Sequence, residues 1–267
     1  MGKQQDEGGW ATKGKDSTWT PMHKSTLWNF LYLDYLGLNG SVIPNISKAI
    51  DYAFQMQYNS KEQAFVVESK IWGRFMQCQN AMVLRSMLKM GFEDKEEVKN
   101  VCLAHLRRIS GKEGLCKFKK GPKKTDRFQI PCAWGLVKDL LFFNSWPESW
   151  RDKMYKETVD AIQKYLLSHN LATADFPRIK ETSYSKWFLL AYFRSYYADI
   201  IEVVEALIES GVTDHPTLND TLIVIGEQNI DEKTWICQIV PSWDIKLEKK
   251  LEPSPWLTLR GLKILKH

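Results

Sequence analysis

The sequence lacks the features that mark several common classes of protein. No apolar run reaches roughly 18 residues, the length of a membrane-spanning helix, and no apolar N-terminal stretch resembles a signal peptide. The five cysteines form no C-x-x-C pair, which argues against a disulfide framework and against a structural zinc site. We therefore expect a protein of the reducing cytoplasm.

The excess of positive over negative charge is small, whereas tryptophan is abundant. The net charge of +5 is small for 267 residues, so we expect no nucleic acid as a partner. The length fits one large domain or two small ones, and the repeating units described below favour a single domain over residues 1–267. Eleven tryptophans are many for this length. Because aromatic side chains bury large areas and line concave apolar sites, their surplus suggests a ligand pocket.

Helical periodicity dominates the chain, and no sustained two-residue alternation competes with it. One set of segments has a single apolar face, at 45–57, 95–109, 148–169 and 215–228. A second set is apolar nearly all round, at 24–37, 71–90, 130–144, 187–210 and 254–266. Outer helices that cover inner ones produce this alternation, so the sequence predicts an all-α fold of two concentric layers.

The two sets are joined by turns that repeat along the chain, about every 50 to 60 residues. After each outer segment comes a short polar turn that ends in an aromatic residue or a cysteine, at Phe65, Cys116, Phe176 and Trp235. The stretch "QQDEGGW", Gln4–Trp10, occupies the same position before the first inner segment. We predict that it is an ordered turn with Trp10 packed against the start of helix 24–37.

These turns resemble a known motif. "QQDEGGW" matches Gln-x-x-x-Gly-x-Trp, the QW motif of squalene–hopene cyclases and other class II terpene cyclases, which protein prenyltransferase β subunits share loosely. "IPCAWGLVKDLL", "YYADIIEVVEALIESG" and "PSPWLTLRGLKILK" are similar to inner helices of stand-alone prokaryotic proteins of this prenyltransferase-like group. The resemblance implies an (α/α) toroid, or an open α/α barrel, of about five inner and four outer helices.

Three motifs of the related enzymes are absent from the chain. It has no Asp-x-Asp-Asp, no Asp-Asp-x-x-Asp and no Asp-x-Cys, so neither the cyclase acid nor the magnesium and zinc sites of those families are carried over. The histidines His23, His105, His169, His215 and His267 do not stand at metal-ligand spacing from cysteines or carboxylates. We therefore expect no metal and no cofactor.

In a toroid the starts of the inner helices meet at one end, where they would line a pocket. The residues at these starts are Trp28, Cys78, Cys132, Trp134, Trp187 and Trp256. One interpretation is an aromatic wall for an isoprenoid, able to stabilise a carbocation through cation–π attraction. In the alternative the tryptophans pack between neighbouring hairpins, and Cys132 is a buried, inert thiol.

Asp199 is the candidate acid or base, because it lies within an apolar segment. A carboxylate in such surroundings would have a raised pKa and could transfer protons. Tyr196, Tyr197 and Arg194 are its candidate partners, and Glu202 follows one turn later. The alternative is a structural aspartate that caps or bridges helices.

Three cations on inner segments, Arg85, Lys138 and Arg260, are candidate anchors for a diphosphate or carboxylate, or else partners in interhelical ion pairs. The basic loop 117–127 is a candidate lip that attracts anions or makes a peripheral membrane contact; the alternative is a solvated loop.

Three functions remain open from the sequence. The resemblance favours a protein that binds or transforms an isoprenoid or another apolar molecule in the central cavity. The alternatives are a non-catalytic interaction module and, less favoured, an α/α-barrel enzyme on a sugar-like substrate. A large aromatic cavity containing Asp199 would favour the first, and a cavity lined by carboxylates the third. With five inner and four outer helices the ring has an open edge, which is expected to serve as ligand entrance or homodimer interface.

Overall fold

The computed structural model describes residues 4–11, 16, 24–65, 76–111, 114–117, 130–178, 184–192, 194, 197–231, 233–240 and 247–266. Within these residues lie nine α-helices: α1 (Thr26–Tyr35), α2 (Ile46–Met56), α3 (Gln77–Lys89), α4 (Glu96–Ser110), α5 (Ala133–Asn144), α6 (Lys153–Leu167), α7 (Ile200–Glu209), α8 (Pro216–Glu227) and α9 (Pro255–Ile264). A small antiparallel hairpin, β1 (Tyr58–Asn59) and β2 (Ala64–Phe65), joins α2 to the segment before α3. Strands of two residues leave no alternation in the sequence, so the hairpin was not predicted.

The helices form two layers. Helices α1, α3, α5, α7 and α9 follow one another around the inside, each in contact with the next. Helices α2, α4, α6 and α8 lie outside and pack on α1, α3, α5 and α7. The inner α5 is buried along almost its whole length, whereas the outer α6 buries one face. The predicted all-α arrangement of five inner and four outer helices is confirmed for the described residues.

The N-terminal turn is ordered as predicted. The backbone closes on itself through Gln5 and Gly9, whose N–H···O distance is 2.7 Å, and Trp10 is 9% exposed. The Trp10 backbone N–H donates to Thr26 Oγ1 at 3.1 Å, and the indole meets the ring of Phe30 edge to face. Trp10 therefore packs on the start of α1.

The same contact recurs at later turns. The backbone N–H of Phe65 donates to Asn80 Oδ1 of α3 at 3.0 Å, and that of Trp235 donates to Thr258 Oγ1 of α9 at 3.2 Å. In each case the residue that ends the turn is tied to a polar side chain near the start of the next inner helix. Each of these turns is thus fixed to its inner helix by the same kind of hydrogen bond.

One predicted helix boundary is wrong. The sequence predicts one helix over 187–210, but the described residues 184–192 form turns and irregular chain, and α7 begins only at Ile200. The Asp199 side chain accepts the Glu202 backbone N–H at 2.9 Å and so caps the helix. Aspartate is favoured at that position because it satisfies a backbone donor that the helix leaves open.

Replacement of Gly8 by alanine is expected to lower the free energy of unfolding by about 2 kcal/mol. Gly8 has a φ of +105°, and a Cβ there would lie 2.3 Å from the Lys48 carbonyl oxygen of α2. Urea titration would measure the loss. Gly226→Ala is the control, because Gly226 lies inside α8 with open space around it and should gain about 0.5 to 1 kcal/mol. Equal effects at the two sites would contradict the packing of the N-terminal turn.

The last inner helix leaves apolar side chains uncovered. Leu259, Leu262 and Leu265, in α9 and at its C-cap, are 49%, 39% and 41% exposed. This is the edge at which the sequence analysis placed a ligand entrance or a homodimer interface, and both remain predictions. Among the described residues, no helix has the length and apolarity to cross a bilayer.

Candidate functional site

The centre of the ring holds ion pairs rather than an aromatic pocket. Each inner helix contributes at least one charged residue: Asp34 from α1, Arg85 from α3, Lys138 from α5, Glu202 and Glu205 from α7, and Arg260 from α9. The polar anchors predicted from the sequence are therefore all paired across helices. The structure favours the interhelical alternative for Arg85, Lys138 and Arg260.

The most deeply buried of these pairs joins Lys138 to Glu202. Lys138 Nζ lies 2.8 Å from Glu202 Oε1 and 2.7 Å from Oε2, and both side chains are 1% exposed. The hydroxyl of Tyr35 donates to the same Oε1 at 2.6 Å. Burial lowers the pKa of Lys138, although the charge of Glu202 opposes this shift. For Tyr35, burial and the neighbouring carboxylate both raise the pKa.

Two further pairs flank this centre. Arg85 Nη1 lies 2.7 Å from Asp34 Oδ2, which also accepts from the Ser86 hydroxyl at 3.3 Å. Arg260 binds Glu205 through two nitrogens, at 2.8 Å and 2.5 Å. Such two-point contacts set the distance and the rotation between α7 and α9.

The cavity at this centre is small. Its volume is about 10 Å³, enough for roughly one water molecule. It is lined by Leu31, Asp34, Tyr35, Met82, Arg85, Ser86, Lys138 and Leu141. None of the predicted aromatic wall residues lines it, and neither does Asp199, so it is not the large aromatic cavity that would have favoured an isoprenoid ligand.

Asp199 lies outside this lining and is held from two sides. Its Oδ2 accepts from Arg194 Nε at 2.9 Å, while its Oδ1 caps α7. Burial alone would raise the pKa of Asp199, but the charges of Arg194 and Arg260 outweigh it and hold the pKa below its ordinary value. The predicted raised pKa is therefore wrong, and the contacts are those of the helix-capping alternative.

Several of the predicted wall residues are packed inside the protein. Trp28 is 1% exposed and Trp187 fully buried; the Trp187 indole N–H donates to the Leu171 carbonyl at 2.9 Å, and its ring packs against Phe176. Trp256 is half-buried and stacks on Tyr192, with 5.0 Å between the ring centroids. These contacts are those of tryptophans that pack between hairpins.

Two of the remaining candidates, Trp134 at the start of α5 and Tyr197 just before α7, stay partly accessible beside Lys186. Trp134, Tyr197 and Lys186 are all half-buried. The rings of Trp134 and Tyr197 meet edge to face, with centroids 4.8 Å apart, and Lys186 Nζ lies 4.1 Å from the Tyr197 centroid. We call Trp134, Tyr197 and Lys186 the mouth cluster. Sequence reasoning missed Lys186, because only the turn before α7 brings it over the ring.

Tyr184 packs against this cluster and contacts the start of α5. Its hydroxyl accepts the Ala133 backbone N–H at 3.1 Å, and its ring contacts Trp134 at a centroid distance of 5.0 Å. It satisfies a backbone donor at the start of α5, because the side chain of the N-cap residue, Cys132, does not. Tyr184 also has a φ of +64°, which is uncommon for a large side chain. These contacts therefore hold Tyr184 in a backbone conformation that is unfavourable for a large side chain.

The surroundings of Cys132 and His105 are those of structural residues. Burial raises the pKa of Cys132 to about 12, in line with the inert-thiol alternative. His105 is fully buried between Asn80 and Asp139, at 3.0 Å and 3.1 Å, and Gln77 also reaches Asp139. Within the described ranges, no group of three histidines, cysteines or carboxylates is suited to a metal ion. Tyr196 and residues 118–127 of the basic loop lie outside the described residues.

The fold has a counterpart among solved structures. The crystal structure of an unsaturated glucuronyl hydrolase specific for heparin matches with a TM-score of 0.52, over 94% of this chain and 74% of that one. The identity is 14%, so this similarity shows the fold alone. No family model and no curated protein sequence matches the chain. The chain has an α/α toroid fold. The resemblance to terpenoid cyclases is confirmed for the general fold and not for the family.

Proposed function

We propose that this protein binds an acidic, carbohydrate-like ligand at the mouth cluster. The observation that carries the proposal is the accessible arrangement of Trp134, Tyr197 and Lys186. Aromatic rings offer flat apolar faces to the C–H surface of a sugar ring, and an ammonium group offers three donors to a carboxylate. The Lys186 ammonium lies over the Tyr197 ring, 4.1 Å from its centroid, and so stands beside the aromatic faces that a sugar would contact.

Two findings favour a polar ligand over an isoprenoid. The centre of the ring is occupied by ion pairs and holds a cavity of only about 10 Å³. The match to a glucuronyl hydrolase supports a sugar-like ligand at the level of the fold, which hosts more than one chemistry. A sugar-like ligand, the alternative least favoured by the sequence, is thus better supported than an isoprenoid. The proposal is for binding, and turnover is tested separately.

Trp134→Ala is expected to weaken binding of an acidic oligosaccharide at least about tenfold, because it removes the main apolar surface of the mouth cluster. Isothermal titration with uronic-acid oligosaccharides and their neutral counterparts would measure this. Lys186→Met should reduce the preference for the acidic series while leaving the neutral one unchanged. Product formation from an unsaturated uronic-acid disaccharide would show catalysis in addition.

Trp150→Ala is the matched control. Trp150 is also half-buried and also carries a lysine over its ring, with Lys99 Nζ 5.6 Å from the centroid, but it lies in the turn before α6. Its replacement should leave the affinity unchanged. The proposal is wrong if no saccharide binds, if Trp150→Ala weakens binding as much as Trp134→Ala, or if a prenyl diphosphate binds where saccharides do not.

A further inference from the structure

Three cysteines that are far apart in the sequence meet between α3 and α5. Cys78 is the second residue of α3, Cys116 lies in the segment before α5, and Cys132 is the N-cap residue of α5. The Cys132 backbone N–H donates to the Cys116 carbonyl oxygen at 2.7 Å, which holds the two segments side by side. The cluster uses none of the residues of the mouth cluster.

Gly135 makes room for two of these side chains. A Cβ atom on Gly135 would lie 2.3 Å from Cys116 Sγ and 3.6 Å from Cys78 Cβ. Any larger residue would displace Cys116, so the absence of a side chain allows the two cysteines to share one space. Each of the two thiols is also the neighbour that most affects the pKa of the other. The two side chains therefore lie next to each other above Gly135, between α3 and the segment before α5.

The two thiols differ in reactivity. Cys78 is half-buried, and the hydrogen bond from Cys116 lowers its pKa despite burial. Its place in the first turn of α3 also favours the thiolate. For Cys116, which is 4% exposed, the interaction with Cys78 and burial raise the pKa. The pair thus combines a half-buried thiol of lowered pKa with a buried thiol of raised pKa beside it.

We propose that Cys78 and Cys116 form a peroxide-responsive pair, in which Cys78 is oxidised first and Cys116 resolves it to an intramolecular disulfide. The Cys78 thiolate attacks one oxygen of a hydroperoxide, the O–O bond breaks, and the other oxygen leaves as hydroxide or alkoxide and takes up a proton. The sulfenic acid then condenses with the Cys116 thiol, which forms the S–S bond and releases water. A dithiol reductant restores both thiols.

The bond would tie α3 to the segment that enters α5. That segment contributes Cys132, the N-cap residue directly before Ala133 and Trp134. The proposal concerns the modification itself and is independent of the proposed ligand.

Trypsin provides a direct test, since it places each of the three cysteines in its own peptide, 75–85, 113–117 and 128–138. The folded protein is treated with hydrogen peroxide, freed of excess peroxide, unfolded in the presence of N-ethylmaleimide so that every remaining thiol is blocked, and analysed by intact mass and peptide mapping. We expect three alkylated thiols instead of five, and a cross-link between peptides 75–85 and 113–117. Five alkylated thiols, a link that contains Cys132, or links between chains only would overturn the proposal.

Two variants separate the roles of the pair. In Cys116→Ser, Cys78 should stop at the sulfenic acid and be trapped by dimedone, whereas in Cys78→Ser no adduct should form on Cys116. Cys132→Ser is the control and should form the same cross-link as the wild type. Circular dichroism melting identifies a variant that fails to fold, and in that case the wild-type peptide map decides by itself. A dimedone adduct on Cys116 in Cys78→Ser would reverse the assigned order.

Discussion

Lys138→Met is expected to lower the free energy of unfolding by about 3 to 5 kcal/mol. The substitution leaves Glu202, which is 1% exposed, as a buried carboxylate without its cation. The remaining hydrogen bond from Tyr35 offsets only a part of that cost. Chemical denaturation followed by circular dichroism would measure the change.

A second substitution should recover most of this loss. In the double variant Lys138→Met, Glu202→Gln neither side chain carries a charge. The amide oxygen of the introduced glutamine still accepts from Tyr35. Replacing both partners of a buried pair is far less costly than removing one, so we expect the double variant to regain at least about half of the loss. The control is Lys153→Met, whose pair with Glu157 is exposed and should contribute less than about 0.5 kcal/mol. Additive effects of the two central substitutions would contradict the assignment of Lys138 and Glu202 as a coupled pair.

Asp199→Asn is expected to cost about 3 kcal/mol at neutral pH, because it leaves the Arg194 guanidinium, 3% exposed, without its charge partner. The amide oxygen of asparagine can still cap α7, so the loss comes from the charge rather than from the cap.

The cost of Asp199→Asn should depend on pH. The folded protein holds the pKa of Asp199 below its ordinary value of 3.8, so the stabilising contribution is present above that pH and disappears as the pH falls through the lowered pKa. The difference between wild type and variant should therefore shrink below about pH 4. Burial raises the pKa of Asp139, but that group titrates in both proteins and cancels in the difference. A difference that does not shrink at acid pH would contradict the assignment of the loss to the charge of Asp199.

Helical periodicity was sufficient to predict the layers of this fold. A helix that is covered on one side has one apolar face, and a helix that is covered on both sides is apolar all round. This pattern can be read from each segment by itself. The ordered N-terminal turn was predicted for a similar reason, since its Gln, Gly and Trp spacing repeats in degenerate form along the chain. The start of α7 was predicted wrongly, because the apolar run at 187–199 also suits a buried turn, and only the contacts of Asp199 show where the helix begins.

The candidate site was predicted less completely. Cys132 and Trp134 lie at the start of α5 as predicted. Tyr197 was expected inside helix 187–210 and lies before α7 instead, and Lys186 was missed. The pairing of Cys78 with Cys116 was missed as well, since a loop brings the two together and no spacing rule describes it.

The sequence by itself determined which residues are inside and in what order the helices follow. The partner of each buried charge was decided only by the tertiary structure. Arg85 and Asp34 are 51 residues apart, Lys138 and Glu202 are 64 apart, and Arg260 and Glu205 are 55 apart. Each pair depends on how far two inner helices are rotated and shifted against each other, which periodicity within one helix leaves undetermined. For that reason the same three cations were equally compatible with an open anion site and with the closed, ion-paired centre that the fold contains.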